Sequence, residues 1–265
     1  MVATLQIVGG GKMGEALLAG LVGAGWAPPD ELRVVETLPA RADALRAAHP
    51  GVTVAAEPSA ADRHVVAVKP GDVEAACGAL AGTGSRAPVL SIAAGVTVAR
   101  LEAALAPDTP VVRAMPNTPA LVGAGAAAVA PGRHATDADL AWAESVLSAV
   151  GTVVRLDEPL LDAVTGLAGS GPAYVFLVVE ALVEAGVLAG LPRPVSATLA
   201  TQTVLGAARL LDASDEGPEA LRAAVTSPGG TTAAGLRALE RAGVRAAFLD
   251  AVMAATERSR ELGRG

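Results

Sequence analysis

A proline, two glycines and two threonines follow one another at residues 228–232. Pro228 predicts the end of the preceding helix, and the two glycines let the backbone approach a ligand closely. The two threonines then open an amphipathic helix whose free N–H groups attract an anion. An ordinary helix N-cap explains the same pattern, because threonine commonly satisfies orphan amides. The turn is therefore a candidate small-anion site that needs support from elsewhere in the chain.

A second glycine turn lies near the start of the chain. An apolar run at residues 5–8 predicts a strand, and Gly-Gly-Gly-Lys-Met-Gly at 9–14 leads into a helical pattern. Gly9 permits the tight turn, Gly11 admits a pyrophosphate, and Gly14 lets the helix pack on the strand. This arrangement predicts a dinucleotide site. The residues expected at the cofactor are Val8, Gly9, Gly10, Gly11, Lys12, Met13 and Gly14.

The elements that must position this site alternate between strands and helices. Further strands are predicted at residues 32–36, 52–54, 64–68, 88–93 and 111–115, with a helix at 41–49. Such apolar runs are typical of a parallel sheet, which binds ligands at the carboxyl ends of its strands. Lys69 is either a phosphate or ribose contact or a solvated lysine. The strand-end residues expected near the cofactor are Ala67, Val68, Lys69, Pro70, Ala93, Ala94 and Asn117.

Glu36 lies at the end of the second predicted strand. An acid there binds both ribose hydroxyls of NAD and repels the 2′-phosphate of NADP. Arg41 is close enough in sequence to supply a counter-charge. Glu36 favours NADH, but a glutamate turned toward solvent would permit NADPH, so the choice between the two cofactors stays open.

Composition narrows the class of protein. Hydrophobic residues make up 52% of the chain, whereas aromatic residues make up only 2%. The net charge of −7 argues against nucleic-acid binding, which requires a basic surface. The single cysteine, Cys77, excludes a disulfide framework and a multi-cysteine zinc site, so no metal is expected. We expect a cytoplasmic protein, because the N-terminus lacks the pattern of a signal peptide.

From about residue 160 the pattern changes to long apolar helices. The segment 173–191 is hydrophobic enough to suggest a membrane span, but Glu180 and Glu184 interrupt it. Helices that are apolar on more than one face exceed what one small domain can bury. The sequence therefore predicts an interface with a partner subunit.

Taken together, these motifs resemble the pyrroline-5-carboxylate reductase family. The similarity covers nearly the whole chain in order. It rests on VGGGKMGEAL near the start, VVAVKP at 65–70, VRAMPNTPALVGAG at 112–125, DAVTGLAGSGPAYVF at 162–176, AGLPR at 189–193, QTVLGAARLL at 202–211 and VTSPGGTTAAGLRALE at 225–240.

The resemblance implies a Rossmann domain at residues 1–158 and a helical dimerisation and substrate-binding domain at 159–265. It implies a homodimer, and a decamer built of five such dimers, in which the turn at 228–232 comes from the partner chain. The turn's amides would hold the substrate carboxylate, Thr232 would bond the ring nitrogen, and Glu158 would face that nitrogen. The residues so implied at the substrate are Glu158, Ser227, Gly229, Gly230, Thr231 and Thr232.

The implied reaction belongs to proline biosynthesis: NADPH or NADH gives a hydride to the C=N carbon of 1-pyrroline-5-carboxylate. Positioning then supplies most of the catalysis, with Thr232 orienting the nitrogen. His49, His64 and His134 are interpreted as structural or solvated. Two alternatives stay open: a β-hydroxyacid dehydrogenase-like oxidoreductase and a scaffold that binds NAD(P) without turnover. The dehydrogenase class usually relies on a lysine in its helical half. The two lysines of this chain, Lys12 and Lys69, both lie in the first half of the sequence.

Overall fold

The first half of the chain folds around an eight-stranded sheet. The structure, a computed structural model, describes residues 4–264. The strands are β1 Leu5–Val8, β2 Leu32–Val35, β3 Thr53–Ala55, β4 His64–Val66, β5 Val89–Ser91, β6 Val111–Met115, β7 Gly125–Pro131 and β8 Gly151–Arg155. Their order is β3-β2-β1-β4-β5-β6-β7-β8, and all pairs are parallel except β6 with β7. The order reverses between β1 and β4, which creates the crevice where such sheets bind ligands.

Helices cover both faces of this sheet. They are α1 Lys12–Gly23, α2 Pro39–Ala48, α3 Val73–Gly82, α4 Val98–Ala104, α5 Asp137–Ser148 and α6 Leu161–Val164. Ile7 of β1 belongs to a core with α1 and α5, whereas the next residue, Val8, belongs to a second core with α3. Because successive side chains of a strand point to opposite faces, both faces of the sheet must be covered.

The remaining helices are α7 Gly171–Leu188, α8 Arg193–Asp212, α9 Pro218–Ala224, α10 Thr231–Arg241 and α11 Val244–Arg264. Internal contacts divide the chain into two compact units. One contains the described residues up to Ser170 together with those from Met253 onward, and the other is Gly171–Val252.

The predicted fold class is confirmed: a mostly parallel Rossmann sheet precedes a helical region. Each of the six predicted strands exists, although those expected at 64–68 and 88–93 are shorter. The sequence did not predict β7 and β8. The expectation that Pro228 ends the preceding helix is wrong, because α9 ends at Ala224 and a turn follows in which Thr226 N–H donates to Ala223.

Most of the apolar surface of helix α7 is left exposed in the single chain. Of its 18 residues only Val183 is buried, while Phe176 is 64% and Leu188 is 91% exposed. It packs closely on α8, where the hydroxyl of Ser196 donates to the carbonyl of Val183 at 2.8 Å and Gly186 leaves room for Ser196. The surface exposed by the single chain is the kind that a second subunit covers.

A stretch of helix at Glu158–Leu188 is long and apolar enough to cross a membrane by length and composition. It contains α6 and α7, and four acids interrupt it: Glu158, Asp162, Glu180 and Glu184. Charges at such positions are costly in lipid. An interface between subunits explains the same apolar surface.

Candidate active site

The glycine turn after β1 forms an open cradle at the start of α1. Gly9 has a φ of +109°, and a Cβ there would lie 2.7 Å from the carbonyl oxygen of Ala67. A Cβ at Gly14 would collide with the carbonyl oxygen of Gly9, whereas one at Gly11 would meet nothing within 4 Å. Gly11 is the N-cap of α1 and provides no side-chain cap. The first N–H groups of α1 therefore remain available to a phosphate, and the cradle fits the pyrophosphate of a dinucleotide.

The other predicted residues of this turn surround the cradle. Val8 is buried at the end of β1, and Met13 packs on the core from the first turn of α1. Lys12 is exposed beside the helix start. The sequence thus brings a cation and the positive end of a helix to one place.

Glu36 and Arg41 flank the end of β2. The Glu36 carboxylate accepts the N–H of Leu38 at 2.8 Å, and a Cβ on Gly10 would lie 3.1 Å from Oε2 of Glu36. Arg41 donates its Nε–H to the carbonyl of Gly10 at 2.7 Å and pairs with Glu15. The acid therefore lies beside the glycine turn, as a ribose-binding residue must. Sequence reasoning did not identify Glu15, whose role appears only once α2 lies beside α1.

The carboxyl ends of β4 and β5 continue the same edge of the sheet. Ala67 N–H donates to Val8 at 2.8 Å, so the turn after β4 adjoins the end of β1. Lys69 and Pro70 are exposed there, and Lys69 forms no ion pair within residues 4–264. Beyond β5, Ala93 is buried and Ala94 is exposed. These small side chains leave space at the edge of the sheet.

A cavity of about 450 Å³ opens at this edge. Its walls come from the turns after β4 and β5, from a π-helical turn at Thr165–Gly169, and from the end of α11. Among the lining residues are Pro70, Ala94, Gly95, Thr165, Ser170 and Ser259. The cavity borders the predicted cofactor residues and has room for a small ring.

Asn117 follows β6, and the backbone takes up both ends of its side chain. Its Nδ2 donates to the carbonyl of Ala168 at 3.0 Å, and its Oδ1 accepts the N–H of Ala126 at 2.8 Å. The side chain is largely buried. Asn117 thus ties the π-helical turn to β7, so its observed contacts are structural.

Glu158 opens the turn before α6, where its carboxylate is already engaged. Its Oε1 accepts Arg113 Nη1 at 2.8 Å and the N–H of Val98 at 2.7 Å. Val98 begins α4, so the carboxylate also complements the positive end of that helix. These bonds partly neutralise the charge that the substrate assignment requires.

The turn at 227–232 lies in the other unit. Gly229 has a φ of +69°, and Gly230 is the N-cap of α10 without a side-chain cap. The α10 helix begins at Thr231, as predicted. Within the described residues, neither Thr231 nor Thr232 uses its hydroxyl in a hydrogen bond. The turn therefore has no threonine cap, and its two threonine hydroxyls are uncommitted. The N–H of Gly230 is already engaged, because it donates to the carbonyl of Ser227 at 3.1 Å.

The histidines and the cysteine occupy other environments. His64 is buried between Gln6 and Ser85, and burial lowers its pKa to about 4. His134 lies 3.7 Å from Asp108 at the surface. Burial raises the pKa of Cys77 to about 11. Across residues 4–264 no cluster of three His, Cys, Asp or Glu side chains could hold a metal ion.

An open glycine cradle at the switch point of a doubly wound sheet, with a ring-sized cavity at the carboxyl edge of the same sheet, is typical of an NAD(P)H-dependent oxidoreductase. The chain belongs to the pyrroline-5-carboxylate reductase family. The family model "Pyrroline-5-carboxylate reductase dimerisation" matches residues 158–262, and "NADP oxidoreductase coenzyme F420-dependent" matches residues 4–95.

Individual relatives cover nearly the whole chain. A pyrroline-5-carboxylate reductase from Synechocystis sp. is 47% identical over 98% of both chains. The solved pyrroline-5-carboxylate reductase from Coxiella burnetii is 35% identical, covers 99% of both chains and superposes with a TM-score of 0.93. The Plasmodium falciparum enzyme, solved with NADP bound, is 29% identical over 98% of both chains, with a TM-score of 0.84. These matches also carry the dimerisation region, which identifies an oligomeric enzyme.

Proposed function

We propose that this chain performs the reaction of its family, reduction of 1-pyrroline-5-carboxylate to L-proline, at the carboxyl edge of its sheet. Hydride transfer to the C=N carbon converts the ring imine into the secondary amine of proline. A protonated iminium accepts hydride readily, so the proton must reach the ring nitrogen before or during transfer. Reduced nicotinamide, when bound, supplies the hydride.

The cofactor site is the cradle after β1 together with the strand ends beside it. The uncapped start of α1 would hold the pyrophosphate, and Glu36 would bond the adenosine ribose. The small residues after β4 and β5 would form the floor under the nicotinamide. Asn117 would support this site indirectly, by fixing the position of the π-helical turn, because both ends of its side-chain amide are already hydrogen-bonded to the backbone.

The turn at 227–232 is the proposed substrate site. The observation that carries the proposal is a helix start with a glycine N-cap, an adjoining glycine at φ +69° and two uncommitted threonine hydroxyls. The amides of Gly229 and Thr231 would bind the carboxylate, with the Gly230 N–H exchanging its bond to the Ser227 carbonyl for one to the substrate. Thr232 would orient the ring nitrogen. Ser227 lies against Gly230 and would shape the turn. Glu158 is kept as a candidate contact to the cationic nitrogen.

Two chains would complete the site. The exposed apolar face of α7 supports a homodimer, in which the turn of one chain serves the cofactor domain of its partner. Five such dimers would form a decamer. The dimerisation model begins at residue 158, which supports a domain boundary between 158 and 159. A cytoplasmic location agrees with the acidic composition and the single buried cysteine.

The test is to follow NADH and NADPH oxidation with pyrroline-5-carboxylate, and to assay 2-hydroxy acids in the reverse direction. We expect rapid oxidation of the cofactor when the imine is present. We expect no oxidation of the 2-hydroxy acids in the reverse assay. Turnover of 2-hydroxy acids alone would indicate a β-hydroxyacid dehydrogenase. Cofactor binding without turnover of either substrate would indicate a scaffold.

A further inference from the structure

Arg41 lies where the 2′-phosphate of a bound dinucleotide would be recognised. It is in the first turn of α2, just beyond β2, and its Nε–H holds the carbonyl of Gly10 at 2.7 Å. In dinucleotide folds an arginine near this strand end accommodates the 2′-phosphate of NADP, whereas an acid binds the free hydroxyls of NAD. This chain has both, because Glu36 and Arg41 flank the same turn. The partners of Arg41 therefore decide which cofactor it favours.

Glu15 occupies the guanidinium of Arg41. Nη2 of Arg41 pairs with Oε2 of Glu15, and the two side chains are only 30% and 31% exposed. A hydrogen bond from Arg41 lowers the pKa of Glu15, so this carboxylate is charged at neutral pH. His49 Nε2 lies 3.5 Å from the other carboxylate oxygen, which is an ion-pair distance without a well-formed hydrogen bond. Glu15 thus anchors Arg41 from the first turn of α1.

The charges at this end of the cradle disfavour a further phosphate. Glu15 and Glu36 contribute two carboxylates, against one guanidinium whose Nε and Nη2 are already committed. Unless it displaced Glu15, a 2′-phosphate could reach only the remaining N–H groups of Arg41, and it would lie near Glu36. Like charges at a binding site oppose such a ligand and provide specificity against it.

We propose that Glu15 is a specificity-determining residue, which holds Arg41 against the glycine turn and thereby makes the enzyme favour NADH over NADPH. This inference rests on the proposed cofactor site at the glycine turn. It gives Arg41 the capacity to bind a 2′-phosphate once Glu15 no longer engages it.

The experiment measures binding of NADH and NADPH by titration calorimetry, without substrate, to the wild-type chain and to Glu15→Gln and Glu15→Ala. We expect the wild type to bind NADH more tightly. In both variants the ratio of the Kd for NADPH to the Kd for NADH should fall by about 10-fold. Adding Arg41→Ala to Glu15→Gln should remove the gain. Thermal unfolding of each variant verifies that the fold is retained.

Glu144→Gln is the matched control. Glu144 forms a comparably short pair with Arg155, and the two side chains are 29% and 42% exposed. This pair joins α5 to β8, away from the cradle, so the control should leave the Kd ratio unchanged. An unchanged ratio in both Glu15 variants, a gain that survives Arg41→Ala, or a wild type that prefers NADPH would each overturn the inference. A wild type that binds neither cofactor would instead refute the proposed cofactor site.

Discussion

Arg113 and Glu158 form an ion pair whose arginine is almost fully buried. Nη1 of Arg113 lies 2.8 Å from Oε1 of Glu158, and the Arg113 side chain is only 7% exposed. The same carboxylate oxygen accepts the N–H of Val98. One acid therefore joins β6, the start of α4 and the turn before α6.

Removing this acid should destabilise the fold. We expect Glu158→Ala to lower the free energy of unfolding by about 2 kcal/mol, because Arg113 would stay buried without its counter-charge. Urea unfolding measures the loss. Glu144→Ala is the control, because its partner Arg155 is exposed and the expected loss is much smaller. Equal losses in the two variants would show that burial of Arg113 is not what makes the pair important.

The same position tests the substrate assignment. If Glu158 also faces the cationic nitrogen, Glu158→Gln should raise KM for pyrroline-5-carboxylate while KM for the cofactor stays constant. The amide keeps an acceptor for the N–H of Val98 but loses the charge. A lower stability with unchanged KM would remove Glu158 from the substrate site.

Thr232→Ala should lower kcat/KM for the imine by about 10-fold, the loss of one hydrogen bond to the transition state. Steady-state kinetics with saturating cofactor measures it. Thr226→Ala is a control from the same segment, because the Thr226 hydroxyl already donates to the carbonyl of Arg222 at 2.6 Å. If Thr232→Ala kept full activity, Thr232 would have no part in the mechanism.

Glu36→Ser should shift cofactor preference toward NADPH, because a carboxylate beside the ribose repels the 2′-phosphate. The ratio of kcat/KM for the two cofactors reports the shift. Glu31→Ser, just before β2 rather than after it, should leave the ratio unchanged. Equal or greater discrimination against NADPH in Glu36→Ser would show that Glu36 does not face the ribose.

The buried His64 side chain should make the free energy of unfolding depend on pH. Burial lowers its pKa from 6.5 to about 4, so the unfolded chain binds this proton more readily than the folded chain. The free energy of unfolding should therefore fall as the pH drops below about 6.5 and level off near 4, with up to about 3 kcal/mol lost from this group. Urea unfolding at a series of pH values measures the slope. His64→Gln should flatten it, whereas the surface variant His134→Gln should not. An equal slope in wild type and His64→Gln would contradict the assignment.

The sequence predicted the elements that local pattern specifies. Apolar runs bounded by turn residues indicated β1 to β6, and the glycine spacing indicated the cradle. The strand β7 was not predicted because its sequence, GAAAVAP, consists mostly of small residues with no strand preference. It gains its structure from pairing with β6. The ion pairs of Glu15 and Glu158 were not predicted for another reason. Their partners, Arg41 and Arg113, are distant in the chain, and only the fold brings them together.

The proposed function depends on hydride transfer from reduced nicotinamide to the ring carbon that becomes Cδ of proline. The most direct measurement incubates the enzyme with pyrroline-5-carboxylate and NADH or NADPH carrying deuterium at the transferable position of the nicotinamide C4. Mass spectrometry and NMR of the product then locate the label. We expect proline with deuterium at Cδ, in amount equal to the cofactor oxidised. Unlabelled proline, or cofactor oxidised without proline, would contradict the claim.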